Sequence, residues 1–148
     1  MSKQSSAVSQ AALEQAHGQA RQAAARAHAP YSKFPVGAVL QFSTGDLVLG
    51  CNVENASYGL TNCAERTAVY SALAQGKSLA DVENIVIYTP GKTVYSPCGA
   101  CRQVLAEFFS LDTPFISTCD VGEKTWTLGE LLPSAFSTFE ATADQISS

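Results

Sequence analysis

Three cysteines and a glutamate are the residues of this chain best suited to chemistry. Cys98 and Cys101 stand three apart in Pro97-Cys-Gly-Ala-Cys. On the first turn of a helix that spacing turns both sulfurs to one side, where they can share a tetrahedral metal ion such as zinc. A helix N-terminus carries partial positive charge and unpaired N–H groups, which lower a thiol's pKa and favour the thiolate that a metal requires. Cys63 opens a second helical pattern, so two positive helix ends can point at one ion. Three thiolates on Zn²⁺ leave a fourth position where water can ionise near neutral pH. Glu65 follows Cys63 by two residues. Side chains two apart on a helix do not share a face, so Glu65 is a poor second ligand but can address what the metal binds.

Each of these residues also has a plainer reading. A lone CxxC describes a redox dithiol or half of a structural zinc site equally well. A glutamate in the first turn is favoured by the helix dipole without any catalytic role. If Cys51 supplied a fourth sulfur, the site would be closed, structural zinc with no room for water. A redox pair, however, does not call for a third cysteine with an adjacent glutamate and arginine. Cys51 and Cys119 match no ligand position and read as small buried hydrophobes. His17 and His28 read as surface or capping residues. Taken alone, Phe34 reads as core and Glu54 as a solvated charge.

The surrounding pattern supplies elements to hold these residues. Alanine-rich positions 9–28, with Leu13, Ala16, Ala20, Ala23, Ala24 and Ala27 at helical spacing, predict a first helix with one packing face. Pro30 and Pro35 punctuate a loop. Val36 to Phe42 and Leu47 to Val53, joined by Ser43-Thr-Gly-Asp46, predict an antiparallel hairpin. Cys63 to Gln75, with Ala64, Ala68 and Leu73 and with Gly76 after it, predicts a second helix closed by glycine. Asn84 to Thr89 is a β-rich run, and Pro97 introduces a third helix over Cys98 to Phe109. Phe115 to Thr118 and Lys124 to Thr127 complete the strands, and Leu128 to Leu132 reads as a short helix stopped by Pro133. A hairpin followed by strand and helix alternation implies an α/β fold, three layers α/β/α around a mixed five-stranded sheet, with helical crossovers making neighbouring strands parallel.

Bulk properties bound the partners. The 148 residues, 46% hydrophobic and 15% charged, predict one globular domain spanning 1–148, with positions 1–8 a loose polar tail. A net charge of −4 offers no basic stripe for polynucleotide phosphates. No apolar run approaches the roughly 20 residues of a bilayer helix, and MSKQSSAVSQ lacks a secretory signal. These features predict a cytoplasmic protein with no membrane and no nucleic-acid partner. Five cysteines without an export signal argue for thiols or metal ligands rather than disulfides.

One cysteine, a glutamate two residues later and a downstream PCxxC match the general signature of zinc deaminases. With it, CAER at 63–66, NVEN at 52–55, PCGACRQ at 97–103 and ELLPSAF at 130–136 resemble the homotetrameric zinc-dependent cytidine deaminases, in the family's order and spacing over nearly the whole chain. The resemblance implies hydrolytic deamination of cytidine and 2'-deoxycytidine in pyrimidine salvage, with one Zn²⁺ per subunit on Cys63, Cys98 and Cys101. It implies that Glu65 moves protons between water, ring N3 and the leaving amine, and that Arg66 donates to the two downstream thiolates, offsetting their charge. Asn52 and Glu54, alternate residues at a strand end, would clamp the ribose 3' hydroxyl. Glu54 would repel a phosphate and so favour nucleosides over nucleotides. Phe34 would stack on the pyrimidine and the Ala64 N–H would read its carbonyl. Tyr58 and Phe136 would complete a neighbouring subunit's pocket in a homotetramer. Two alternatives stay open: a deaminase of another small aminated pyrimidine, such as an N4-substituted cytidine or a nucleoside antibiotic, and a non-catalytic zinc-stabilised nucleoside-binding module.

Overall fold

Residues 9–137 are described by a computed structural model of the chain; the tail expected at 1–8 lies outside the described residues. The elements in chain order are α1 (Gln10–Ala24), β1 (Gly37–Phe42), β2 (Leu47–Cys51), α2 (Ala64–Ala74), β3 (Val82–Tyr88), α3 (Gly99–Phe108), β4 (Pro114–Thr118), β5 (Glu123–Thr127) and α4 (Leu128–Leu131). Two short 3₁₀ turns, Tyr58–Leu60 and Leu79–Asp81, complete the set.

The strands form one mixed sheet in the order β2-β1-β3-β4-β5. β1 pairs antiparallel with both β2 and β3, β3 and β4 are parallel, and β4 and β5 are antiparallel. The expectation that crossovers make neighbours parallel therefore holds for β3 and β4, joined through α3. β2 and β3, joined through α2, run parallel to each other with β1 between them, because the hairpin partner already occupies that edge of β3.

Both faces of the sheet are covered, which is why every residue of β1 is buried. On one face Ala16, Ala20 and Ala24 of α1 pack on Val39, Val86, Tyr88 and Ile116. On the other, Ala64, Ala68, Val69 and Ala72 of α2 and Leu105 of α3 pack on Ala38, Leu40, Ile85, Ile87 and Phe115. The alternation of these two sets along β1 and β3 is the period-two geometry of a strand. Small residues let the layers approach closely. A Cβ on Gly50 of β2 would collide with the Ala64 carbonyl and the Ala68 amide of α2, and one on Gly37 of β1 with the Ala20 carbonyl of α1.

Helix ends show where local and distant effects win. α2 stops as predicted: Gly76 takes φ +74, its N–H reaches the Leu73 carbonyl, and the Lys77 N–H reaches the Ala72 carbonyl. Leu73 itself points outward, 45% exposed; Val69 and Ala72 face the sheet instead. α1 ends at Ala24 rather than running to 28, because the His28 backbone leaves the helix to pair with residues 52–54. Among the described residues no helix is long and apolar enough to cross a membrane.

Candidate active site

Cys63 and Cys98 are the N-cap residues of α2 and α3, each with extended backbone, so the two helix N-termini converge where their sulfurs meet. Cys98 Sγ accepts from the Cys101 N–H at 3.4 Å, and Cys101 lies buried in the first turn of α3. Cys63 and Cys98, distant in sequence, bring their sulfurs to 3.8 Å. A tetrahedral ion with Zn–S bonds of about 2.3 Å requires sulfurs about 3.8 Å apart. All three sulfurs lie within 4.8 Å of one another, and no other such cluster exists among the described residues. The donor set and its spacing fit one Zn²⁺. Cys51 lies outside the cluster and Cys119 is buried in the core, so no fourth sulfur closes the site.

The cluster polarises its surroundings. The adjoining Cys101 thiol, the Arg66 guanidinium and Cys98 together hold the Cys63 thiol down to about 5, against the opposing effect of burial. Cys101 moves the other way, pushed up first by Cys63 and then by burial and the Glu65 charge. Arg66 Nη2 donates to Cys63 Sγ at 3.3 Å. The i, i+3 spacing across the first turn of α2 lays the guanidinium over the cysteine of its own helix, and Cys101, one of the two downstream thiols expected as partners, interacts with it as well. Hydrogen bonding to the Cys63 thiolate also holds Arg66 more firmly cationic than usual.

Glu65 is buried, only 5% exposed, and its Oε2 accepts from Cys101 Sγ at 3.4 Å. Burial pushes its carboxyl above the ordinary range, and the Cys63 thiolate adds to the shift. A proton therefore rests on this group more readily than on an exposed glutamate.

Next to the sulfurs opens a cavity of about 350 Å³. Its lining includes Phe34, Asn52, Glu54, Cys63, Ala64, Glu65 and Cys98 from the residues singled out in the sequence. Asn52 does more than face the cavity. Its Oδ1 accepts from the Val36 N–H at 2.9 Å and its Nδ2 donates to the Phe34 carbonyl at 2.8 Å, so the buried amide clasps the loop that presents Phe34. Nor are Asn52 and Glu54 alternate residues within a strand, since β2 ends at Cys51; beyond it Val53 is held by isolated bridges to His28 and Asn62. Glu54 Oε1 accepts from the Tyr31 and Ser32 N–H groups at 3.0 and 3.1 Å. The Ser32 hydroxyl and these backbone groups hold its carboxyl below the usual carboxylate range. Tyr58 and Phe136 lie outside the cavity lining, 74% and 78% exposed.

Several lining residues escaped the sequence reading: Ser32, Thr61, Ile87, Thr89, Tyr95 and Ser96. The Tyr95 ring stands edge-on to Phe34, centroids 5.5 Å apart. Tyr95 and Ser96 were findable, because the turn that delivers a metal ligand must also wall the space beside it. Ile87 and Thr89 lie at the carboxyl end of β3, where ligand crevices of open α/β sheets form.

Known proteins resemble this chain in sequence and fold. A family model described as the cytidine and deoxycytidylate deaminase zinc-binding region matches residues 10–116. A cytidine deaminase of Halalkalibacterium halodurans is 46% identical over 119 residues, covering 80% of this chain and 89% of that protein. One of Mycobacterium tuberculosis is 45% identical over 122 residues, covering 80% and 85%. The crystal structure of cytidine deaminase from Burkholderia pseudomallei superposes with a TM-score of 0.79 at 44% identity, covering 83% of this chain and 98% of that one. The M. tuberculosis structure gives 0.71 at 40% identity, covering 84% and 96%. Sulfur cluster, buried glutamate, fold and relatives agree, and the chain belongs to the cytidine deaminase family.

Proposed function

We propose that this protein hydrolytically deaminates cytidine and 2'-deoxycytidine to uridine and 2'-deoxyuridine, taking up water and releasing ammonia. The observation that carries the reading is the placement of Glu65: a buried carboxylate touching a three-sulfur zinc site at the wall of a cavity. Zinc bound by Cys63, Cys98 and Cys101 supplies Lewis acidity that brings water ionisation close to neutral pH. Glu65 then takes a proton from the attacking water, delivers it to ring N3, and carries the next to the exocyclic amine, which leaves as ammonia. Its raised pKa suits a group that must hold a proton in mid-cycle. Arg66 offsets thiolate charge through its bond to Cys63.

The remaining residues bind and orient the nucleoside. Phe34 stacks on the pyrimidine, supported by its position on the lining and by the Asn52 clasp on its carbonyl. The Ala64 N–H belongs to the first turn of α2, where helix geometry leaves donors without intrahelical partners, and it reads the base carbonyl. Asn52 and Glu54 face the ribose 3' hydroxyl. An ionised Glu54 disfavours a phosphate close by, so nucleosides are preferred to nucleotides. The exposure of Tyr58 and Phe136 supports a homotetramer in which a neighbouring subunit covers them and receives them into its pocket. Described elements all pack on one sheet, which supports one catalytic domain. Free nucleosides as substrates place the reaction in pyrimidine salvage, in the cytoplasm.

The test is to incubate purified protein with cytidine and follow ammonia release, with zinc counted per chain. Ammonia and one zinc per chain are expected. No ammonia, or no metal, removes the reading, and equal turnover of cytidine monophosphate removes the role given to Glu54.

A further inference from the structure

Arg102 follows the last cysteine of the cluster and has no part in the chemistry above. Its guanidinium nonetheless makes three hydrogen bonds to three separate places. One edge, Nε and Nη2, donates to the Pro97 carbonyl and to Ser96 Oγ, both at 2.8 Å. The remaining arm, Nη1, donates to the Leu131 carbonyl at 2.7 Å. Leu131 is the last residue of α4, so its carbonyl has no partner within that helix. Pro97 is buried, and its carbonyl belongs to the peptide bond that enters Cys98. Ser96 and Cys98 both wall the cavity. The next residue, Gln103, donates from Nε2 to the Phe136 carbonyl at 2.9 Å, so consecutive side chains of α3 grip both ends of the segment 131–136.

We propose that Arg102 is a positioning residue that locks the Ser96–Pro97 turn, and with it the Cys98 sulfur, against the end of α4, so that metal retention and pocket shape depend on its three-way grip. The reasoning is geometric. A planar guanidinium offers donors on two edges in fixed directions, and three short bonds to acceptors from a turn and a helix end leave it no alternative orientation. A lysine ammonium presents a single point charge on a flexible stem and cannot bridge the same three acceptors. Without the grip, the turn entering α3 loses its hydrogen bonds to the guanidinium and its tie to the end of α4, and Cys98 loses the reference that sets it opposite Cys63. Zinc as the occupant rests on the function proposed above.

The experiment compares zinc-loaded wild type with Arg102→Lys, Ser96→Ala and a core control, Val39→Ala, on the opposite face of the sheet. Each is challenged with a chromogenic chelator, and release rates are read beside thermal unfolding and cytidine kinetics. Arg102→Lys is expected to bind one zinc and release it about ten-fold faster, the scale seen when groups supporting metal ligands are removed, with KM raised more than kcat is lowered. Ser96→Ala, which deletes one acceptor, is expected to speed release by a smaller factor. Val39→Ala is expected to lower the unfolding temperature without speeding release, which separates positioning from general loss of stability. Release from Arg102→Lys at the wild-type rate, or a control that releases as fast, overturns the inference. Should Arg102→Lys fail to fold, Ser96→Ala decides: faster release supports the grip and unchanged release overturns it. Wild-type protein that binds no zinc overturns the proposed function and this inference together, whereas a zinc-loaded Arg102→Lys of normal behaviour overturns this inference alone.

Discussion

Glu65 Oε2 lies 3.4 Å from Cys101 Sγ, a residue of the other helix. In sequence the carboxylate is associated with Cys63, two residues before it. In the fold it reaches across to α3, so an acid of one helix touches a sulfur of the other and lines the cavity beside the cluster.

From this placement, Glu65→Gln should keep its zinc and lose its turnover. The amide preserves shape but can neither accept nor return a proton, and removing a positioned acid–base group costs about 10³-fold in rate. Metal analysis alongside an ammonia assay checks both halves. A metallated variant that still deaminates at a tenth of the normal rate or better would remove Glu65 from its role.

Arg66→Gln tests whether charge withdrawal at the thiolates matters. Loss of the 3.3 Å bond to Cys63 Sγ should weaken zinc retention by about 10- to 100-fold and lower turnover with it. Competition with a chelator of known affinity measures the first effect. Unchanged retention and turnover would refute the assignment.

Two glycine substitutions should move stability in opposite directions. Gly50→Ala drives a methyl group into the α2 backbone and should cost about 2–3 kcal/mol, in the range of overpacked cores. Gly18→Ala, in the exposed interior of α1 with open space around it, should stabilise by up to about 1 kcal/mol through helix propensity. Urea unfolding of both variants is the measurement. Equal and small effects would mean that the approach of β2 to α2 is looser than described.

Asp120 should contribute stability that disappears in acid. Its carboxylate accepts from Tyr88 Oη at 2.6 Å, the Gly91 N–H at 2.7 Å and Arg21 at 3.1 Å. Tyr88 first, then Gly91 and Arg21, hold its carboxyl below the usual range. A folded pKa below the unfolded value, about 3.9, gives a contribution that is complete above that value and fades as pH falls through the folded one. Asp120→Asn should therefore be less stable than wild type near neutrality, with the gap narrowing below about pH 4. A gap that stays constant down to about pH 3 would contradict this sign.

What the sequence determines here is what depends on near neighbours. The glycine stop of α2 at Gly76, the hairpin turn around Gly45 and the starts of α2 and α3 at Cys63 and Cys98 arise from local backbone sterics and capping within a few residues. The zinc ligands were legible for the same reason: metal chemistry demands particular donor atoms, and helix starts are written locally. Tertiary structure decides the rest, because a partner distant in the chain leaves no local trace. His28, read as a surface or capping residue, pairs its backbone with residues 52–54 and ends α1 early. Asn52, on the cavity lining, also clasps Phe34 and Val36 through its amide. Arg66 adds Cys63 to its partners, Leu73 faces outward, and Tyr95 and Arg102 enter the site's surroundings without having been singled out. Bonding geometry over one helical turn can be read from residue order, whereas which surfaces meet is settled only when the sheet closes between its two layers of helices.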